Sequence, residues 1–170
     1  DALPILVLEN EVVSGSLEVQ NGEIRAFAES QSRLPEAMDG EGGWLLPGLI
    51  ELHTDNLDKF FTPRPKVDWP AHSAMSSHDA LMVASGITTV LDAVAIGDVR
   101  DGGDRLENLE KMINAIEETQ KRGVNRAEHR LHLRCELPHH TTLPLFEKLV
   151  QREPVTLVSL MEIGRASCRE

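Results

Sequence analysis

Two residues with metal-binding side chains, His53 and Asp55, stand two positions apart at the end of an apolar segment. Residues 45–56 read LLPGLIELHTDN, and the run of apolar residues predicts a β-strand over 48–55. Side chains alternate along a strand, so both residues share one face about 6.5–7 Å apart at the backbone and can reach one ion. Imidazole and carboxylate groups suit zinc, manganese or iron. By themselves, a histidine and an aspartate at this spacing more often mark a solvated strand end.

A second predicted strand repeats this design. In RLHLRCEL, residues 130–137, leucine and cysteine alternate with polar residues. The polar residues that share one face are Arg130, His132, Arg134 and Glu136. Glu136 comes near the end of its strand, as His53 and Asp55 do in the first. Together these three residues predict a site for one or two divalent ions. The alternative for Glu136 is an ion pair with an arginine of the same face.

Three basic residues, Lys59, Arg64 and Lys66, follow the first strand in a segment stiffened by Pro63 and Pro65. Arginine and lysine bind phosphate oxygens, and arginine does so with two parallel hydrogen bonds. The three residues are therefore predicted to bind an anionic substrate. The alternative is a solvated loop whose charges are balanced by nearby aspartates.

Local patterns predict the elements that position these residues. Short strands and turns occupy 4–29, where Asn21-Gly22 between two apolar runs indicates a β-hairpin with a type I′ turn. From residue 45 strands and helices alternate, with a long irregular segment after the first strand. The predicted strands are 48–55, 87–93, 130–137 and 155–161. The predicted helices are 73–85, 105–122, and one from Thr141 or Thr142 to 152.

Alternating strands and helices predict a parallel sheet, either doubly wound or closed into a barrel. A doubly wound sheet is covered by helices on both faces and is apolar on both. Two strands here have one polar face, which favours a (β/α)₈ barrel with its site at the C-terminal ends of the strands. Four of the eight βα units are visible. We therefore predict an α/β fold with a small β module, 1–44, and the first half of a barrel, 45–161.

The composition is that of an ordinary globular protein. The 170 residues are 41% hydrophobic and 26% charged, with a net charge of −11 that disfavours nucleic-acid binding. No apolar run approaches the roughly 20 residues that span a bilayer, and no secretory leader pattern is visible. Two cysteines are too few for a disulfide framework. We expect a cytoplasmic protein that binds neither nucleic acid nor membrane.

The segment GWLLPGLIELHTDN, residues 43–56, resembles the entry strand of the amidohydrolase superfamily. In that superfamily a small β-sandwich leads through a Leu-Pro-Gly turn into a first barrel strand, which usually ends in His-x-His. Here Asp55 stands where the second histidine usually is. With this aspartate, the chain resembles the phosphonate-catabolism diphosphatases of the superfamily. The segments that carry the resemblance are ELHTDNLDKFFTPRPKVDWP, GITTVLDAV and HLRCEL. The resemblance covers about residues 4–161 and is most specific over 45–70.

The resemblance implies a metal-dependent hydrolase that releases pyrophosphate from the triphosphate end of a ribose phosphonate and leaves the 5-phosphate. It implies His53 and Asp55 as ligands of a divalent metal (zinc, manganese or iron), and Glu136 matches a strand carboxylate that some members use. The general base is expected beyond residue 161, so no catalytic residue is assigned and this fragment is expected to be inactive.

Two other functions stay open. One is an amidohydrolase that acts on an amide or an amino-heterocycle. The other is a metal-free amidohydrolase-like assembly protein, which the missing second histidine favours. For the enzyme, the expected partner is a small phosphorylated ribose phosphonate, and assembly into a homo-oligomer stays open.

The last nine residues, 162–170, read EIGRASCRE and show no hydrophobic period and no helix cap. They match the translation of a common short-read sequencing adapter. We interpret them as an artefact and leave them out of the fold prediction.

Overall fold

The computed structural model describes residues 3–97 and 104–161 of the chain. The chain divides between Pro47 and Gly48 into two units. No helix within the described ranges is both long and apolar enough to cross a membrane. The segment interpreted as adapter-derived, 162–170, lies outside the described residues.

Within its described residues, 3–47, the first unit contains five short strands in two sheets. They are β1 (Ile5–Val7), β2 (Val12–Ser14), β3 (Ser16–Gln20), β4 (Glu23–Ala28) and β5 (Trp44–Leu45). β1 lies between antiparallel β2 and parallel β5, while β3 and β4 form an antiparallel hairpin. The predicted turn is confirmed, because Asn21 and Gly22 have φ angles of 53° and 78° and join paired Gln20 and Glu23. Positive φ at both central residues is what a type I′ turn requires.

The second unit is a mixed α/β structure around a four-stranded parallel sheet. Its strands are β6 (Leu49–Thr54), β7 (Ile87–Ile96), β8 (Glu128–Glu136) and β9 (Val155–Met161). Its helices are α1 (Asn56–Phe61), α2 (Ala71–Ala84), α3 (Asp104–Lys121) and α4 (Thr142–Leu149). The strand order β6-β7-β8-β9 follows the chain and lacks the reversal that a doubly wound sheet has at its switch point.

One face of the sheet is apolar and the other is polar, as the alternation of apolar and polar residues on the third predicted strand indicates. Leu131, Leu133 and Cys135 of β8 belong to an apolar core that includes Ile113 and Ile116 of α3. Burial of these side chains stabilises the fold by roughly 1.5–3 kcal/mol for each large apolar group. Because side chains alternate along β8, the even-numbered residues face the opposite way. We call that side the inner face of the sheet.

Helix α1 occupies part of the segment that the sequence predicts to be irregular, so that prediction is wrong at this place. Leu57 and Phe61 lie one helical turn apart, and both are buried in the apolar core. The helix ends just before Pro63, whose ring disfavours helical geometry at the preceding residue. A helix of one or two turns is too short to show in the sequence pattern and depends on tertiary burial.

The first strand also differs from expectation on its apolar side. The apolar residues of a strand are expected to be buried, and for Leu49, Ile50 and Leu52 this is wrong, because all three side chains are exposed. In the described sheet β6 is an edge strand that pairs with β7 alone. The entry to β6 is nevertheless tight, because a Cβ at Gly48 would lie 2.1 Å from Thr88 Oγ1. The Pro-Gly turn thus requires glycine at this position.

Candidate metal centre

The inner face brings side chains of β6 and β8 together across β7. Neighbouring strands are about 4.8 Å apart, so side chains of β6 and β8 must bridge roughly 10 Å. On β7 the residues paired with His132 and Arg134 are Ala93 and Ala95, respectively. These small methyl groups leave room above the middle strand. The histidine and arginine of β8 can therefore contact residues at the end of β6.

Asp55 follows β6 directly and lies at the N-terminus of α1. Its Oδ2 is 3.6 Å from Nε2 of His53, and both side chains are about half exposed. The other carboxylate oxygen, Oδ1, accepts a hydrogen bond from Nη1 of Arg134. The structure thus brings together the two residues of the His-x-Asp motif and adds an arginine from the predicted polar face of β8.

Glu136 lies at the end of β8 with only 1% of its surface exposed. Neither of its carboxylate oxygens has a hydrogen-bond partner among the described residues. Among the residues that the structure describes, the cation paired with it is Arg134, whose Nη2 is 3.9 Å from Oε1. This distance is too long for a hydrogen bond, although it allows electrostatic attraction. A buried carboxylate without partners costs several kcal/mol. A buried carboxylate without a hydrogen-bond partner, on the same sheet face as His53, therefore fits a cation ligand.

His132 is a residue of this site that the sequence did not single out. It lies on the inner face of β8 and is 4% exposed. Its Nδ1 is 3.3 Å from Nδ1 of His53, and its Nε2 is 2.8 Å from Oγ of Ser159 on β9. Burial of the imidazole, followed by the neighbouring His53, lowers the pKa of His132. The sequence did contain a signal for His132, because it shares a strand face with Glu136 and the intervening strand carries alanines.

The three predicted substrate-binding residues make no hydrogen bond or ion pair with the predicted metal ligands within the described ranges. Lys59 lies in α1, while Arg64 and Lys66 lie in the following loop, and all three are exposed. None has an ion pair with another residue of the described ranges. The same loop is anchored to α3, because Asp68 accepts a hydrogen bond of 2.9 Å from Thr62, and Asn108 donates one of 3.0 Å to Thr62. The loop is therefore held, and its basic side chains face solvent.

A second polar cluster lies on the opposite, helix-covered side of the sheet. Nε2 of His78 on α2 is 2.5 Å from Oδ1 of Asp92 on β7, and Nδ1 of His129 on β8 is 2.7 Å from Oδ2 of Asp92. Nε2 of His129 is 3.2 Å from Oδ1 of Asp79. Asp92 is fully buried inside β7.

Hydrogen bonds already satisfy most of this cluster. Asp79 accepts backbone N–H groups of Arg126 and Ala127, which fastens α2 to the start of β8. Burial alone would raise the pKa of Asp92, but hydrogen bonds from His129 and His78 outweigh it and lower the pKa. Burial alone would lower the pKa of His129, but its hydrogen bonds with Asp92 and Asp79 outweigh this effect and raise the pKa. His78, Asp92 and His129 present atoms close enough to hold a metal. However, the carboxylate and both imidazoles are paired with each other, which indicates a structural network.

One curated protein matches the chain almost completely. The chain is 99% identical over 157 residues, which is 92% of its length, to the alpha-D-ribose 1-methylphosphonate 5-triphosphate diphosphatase of Escherichia coli (strain K12). It is a near-identical match to part of that diphosphatase. The chain spans 42% of the length of the diphosphatase. The predicted resemblance to a phosphonate-catabolism diphosphatase is thereby confirmed. No protein-family profile matches the chain.

Proposed function

We propose that this chain is part of a metal-dependent hydrolase of phosphonate catabolism. The reaction releases pyrophosphate from α-D-ribose 1-methylphosphonate 5-triphosphate and leaves the 5-phosphate. The observation that carries the proposal is near identity to the diphosphatase over 92% of the chain. The carboxylate of Glu136 is buried and has no hydrogen-bond partner in the described ranges, which supports the metal-dependent part of the proposal, because it can accept a cation.

His53, Asp55 and Glu136 are the residues that would hold one or two divalent ions, which we take to be zinc, manganese or iron. A divalent ion supplies Lewis acidity there, which stabilises charge on a phosphoryl oxygen and lowers the pKa of water. The chain contributes the donor set. His53 offers a neutral imidazole nitrogen, and the two carboxylates offer negative charge from the ends of two strands.

Basic residues are proposed to bind the triphosphate. Arg134 is mostly buried and reaches Asp55 with Nη1, and its Nη2 lies 3.9 Å from Oε1 of Glu136, beside the proposed ligands. Lys59, Arg64 and Lys66 are exposed, without ion pairs in the described part of the chain, and so are available for phosphate oxygens. Charge-assisted hydrogen bonds of this kind are about twice as strong as neutral ones.

The parallel sheet is proposed to be the first half of a (β/α)₈ barrel preceded by a small β-sandwich. Sequential strand order and a polar inner face support this proposal. Small polar ligands bind at the C-terminal ends of the strands in such barrels, and His53, Asp55 and Glu136 lie at that end of β6 and β8. A cytoplasmic location is also proposed. Cys135 is a buried free thiol, and the reducing cytoplasm would keep it in the thiol form.

The decisive experiment uses the full-length protein, meaning the longer chain of which we propose this sequence is part. Purified protein is incubated with the ribose 5-triphosphate, with a panel of amides, and with each divalent ion after chelation. Pyrophosphate release that is lost on chelation and regained with one ion supports the proposal. Turnover of amides instead, or no bound ion with Asp55 intact, contradicts it. The 170-residue chain by itself is expected to release no pyrophosphate.

A matched pair of variants links the activity to the site. Glu136→Gln removes a buried carboxylate at the end of β8, and Glu128→Gln removes an exposed one at its start. Pyrophosphate release is expected to fall by about 100-fold or more for Glu136→Gln and to stay unchanged for Glu128→Gln. Equal activity of both variants would remove Glu136 from the proposed site.

A further inference from the structure

We propose that His132 is a positioning residue that orients the imidazole of His53 for a cation. This inference rests on the proposed role of His53 and goes beyond it. His132 projects from β8 across Ala93 of β7 and is almost fully buried. It contacts His53 from β6 with one ring nitrogen and Ser159 from β9 with the other. One imidazole therefore links three strands of the sheet.

The contacts specify which nitrogen of His53 is available. Nδ1 of His53 faces Nδ1 of His132 at 3.3 Å, whereas Nε2 faces the carboxylate of Asp55 at 3.6 Å. The nitrogen directed at Asp55, a second proposed ligand, is thus Nε2. A metal-ligating histidine almost always donates its second ring N–H to a neighbouring acceptor, which fixes its tautomer and ring orientation. His132 occupies the place of that acceptor.

The hydrogens can be assigned consistently along this line. For Nε2 of His53 to bind a cation it must carry no hydrogen, so Nδ1 of His53 carries it. Nδ1 of His53 then donates to Nδ1 of His132. Neutral His132 carries its own hydrogen on Nε2 and donates it to Oγ of Ser159, at 2.8 Å. Each of these contacts has one donor and one acceptor, and the hydroxyl of Ser159 completes the line on β9. Burial lowers the pKa of His132 on balance, although a backbone hydrogen bond with Leu52 of β6 acts in the opposite direction. The competing assignment, with the hydrogen of His132 on Nδ1, is therefore an outcome that nitrogen-15 NMR distinguishes.

The alternative to a positioning role is that His132 binds the ion itself, and the two roles predict different zinc-binding results. Two ligand nitrogens on one ion also lie about 3.3 Å apart when each is about 2.0–2.1 Å from zinc. In that case His132 would itself be a ligand, and its removal would change the number of ions bound. A positioning residue leaves the number of ions unchanged and weakens their binding, typically by about 10–100-fold.

The test measures zinc binding to the full-length protein by calorimetry, with zinc alone as the probe. His132→Leu is expected to raise the dissociation constant by about 10–100-fold with unchanged stoichiometry. His132→Asn keeps an acceptor near the δ position and is expected to recover part of the affinity. The matched control is His72→Leu on α2, an exposed histidine that pairs with Glu118. This control is expected to bind zinc like the unaltered protein.

A second measurement covers the case in which His132→Leu does not fold. Nitrogen-15 NMR of the zinc-free, unaltered protein is expected to show the hydrogen of His53 on Nδ1. Ser159→Ala, which removes only the last acceptor, is expected to reduce that preference and to weaken zinc binding less than His132→Leu. A hydrogen on Nε2 of His53 in the unaltered protein would overturn the inference. So would unchanged affinity in His132→Leu, or the loss of one bound ion.

The outcomes also separate this inference from the proposed function. If the zinc results are as expected but the full-length protein releases no pyrophosphate, the proposed reaction is wrong and the positioning role stands. If His53→Ala binds zinc as tightly as the unaltered protein, the site itself is misplaced, and the positioning role of His132 fails with it. If pyrophosphate release is normal and the zinc results are unchanged in His132→Leu, only the positioning role fails.

Discussion

Nη1 of Arg134 on β8 donates a hydrogen bond to the carboxylate of Asp55 at the end of β6. The same guanidinium lies near Glu136, with Nη2 at 3.9 Å from Oε1. One buried cation thus attracts two carboxylates that we propose as metal ligands. Because the guanidinium hydrogen-bonds Asp55 but not Glu136, the charge of Glu136 is left incompletely compensated. This asymmetry predicts that removing the charge of Glu136 raises the stability of the protein and weakens metal binding.

Glu136→Gln is expected to stabilise the full-length protein in the presence of a chelator. The substitution replaces a buried charge that lacks hydrogen bonds by a neutral group of the same shape, so the free energy of unfolding should rise by about 1–3 kcal/mol. The affinity for zinc should fall at the same time, because the amide is a poor ligand. Urea unfolding and zinc calorimetry measure the two quantities. A loss of stability in Glu136→Gln would mean that the carboxylate has a structural partner.

The buried network around Asp92 predicts a loss of stability when one carboxylate oxygen is replaced. Asp92→Asn keeps one acceptor oxygen, so one of the imidazoles of His78 and His129 loses its partner inside the core. The expected cost is about 3–5 kcal/mol of unfolding free energy. Asp39→Asn, at an exposed site, is the control and should change it by less than about 0.5 kcal/mol. Equal effects of the two substitutions would show that the network contributes little.

The pKa shifts in this network predict how stability depends on pH. The pKa of Asp92 is lowered below its ordinary value of 3.8, so its contribution is present above pH 3.8 and is lost as the pH falls through the folded pKa. The pKa of His129 is raised above its ordinary value of 6.5, so its contribution is present below pH 6.5 and is lost as the pH rises through the folded pKa. The network therefore stabilises most between these values.

Unfolding in urea across this pH range measures the dependence. Asp92→Asn is expected to flatten the profile on both sides, because it removes the charge to which both imidazoles respond. Asp39→Asn is again the control and should keep the profile of the unaltered protein. A profile for Asp92→Asn that only shifts downward, with the same pH dependence, would contradict the assignment.

The loop after α1 provides a prediction about substrate binding. Arg64→Ala in the full-length protein should raise KM for the ribose 5-triphosphate by about tenfold, since a charge-assisted hydrogen bond contributes roughly 1.5 kcal/mol or more. The kcat should change little if the contact exists equally in the ground state and the transition state. Lys121→Ala, an exposed cation at the end of α3, is the control. An unchanged KM for Arg64→Ala would support the alternative of a solvated loop.

Much of the second unit could be predicted because its signals are local. Apolar and polar residues alternate along β8, and one-sided apolar spacing marks α3, so both elements are found close to their predicted positions. The hairpin in the first unit depends on two adjacent residues, Asn21 and Gly22, whose positive φ angles are a local preference. Helix α1 was missed because so short a helix persists only when Leu57 and Phe61 are buried by other elements.

The sequence by itself determined which residues share a strand face. Alternation places His53 and Asp55 together, and it places His132, Arg134 and Glu136 together, whatever the rest of the fold does. Only the tertiary structure decided that the two groups meet. The contacts His53–His132 and Asp55–Arg134 each join residues 79 positions apart. They depend on strand order, on parallel register and on small residues in β7, none of which is encoded in a local period.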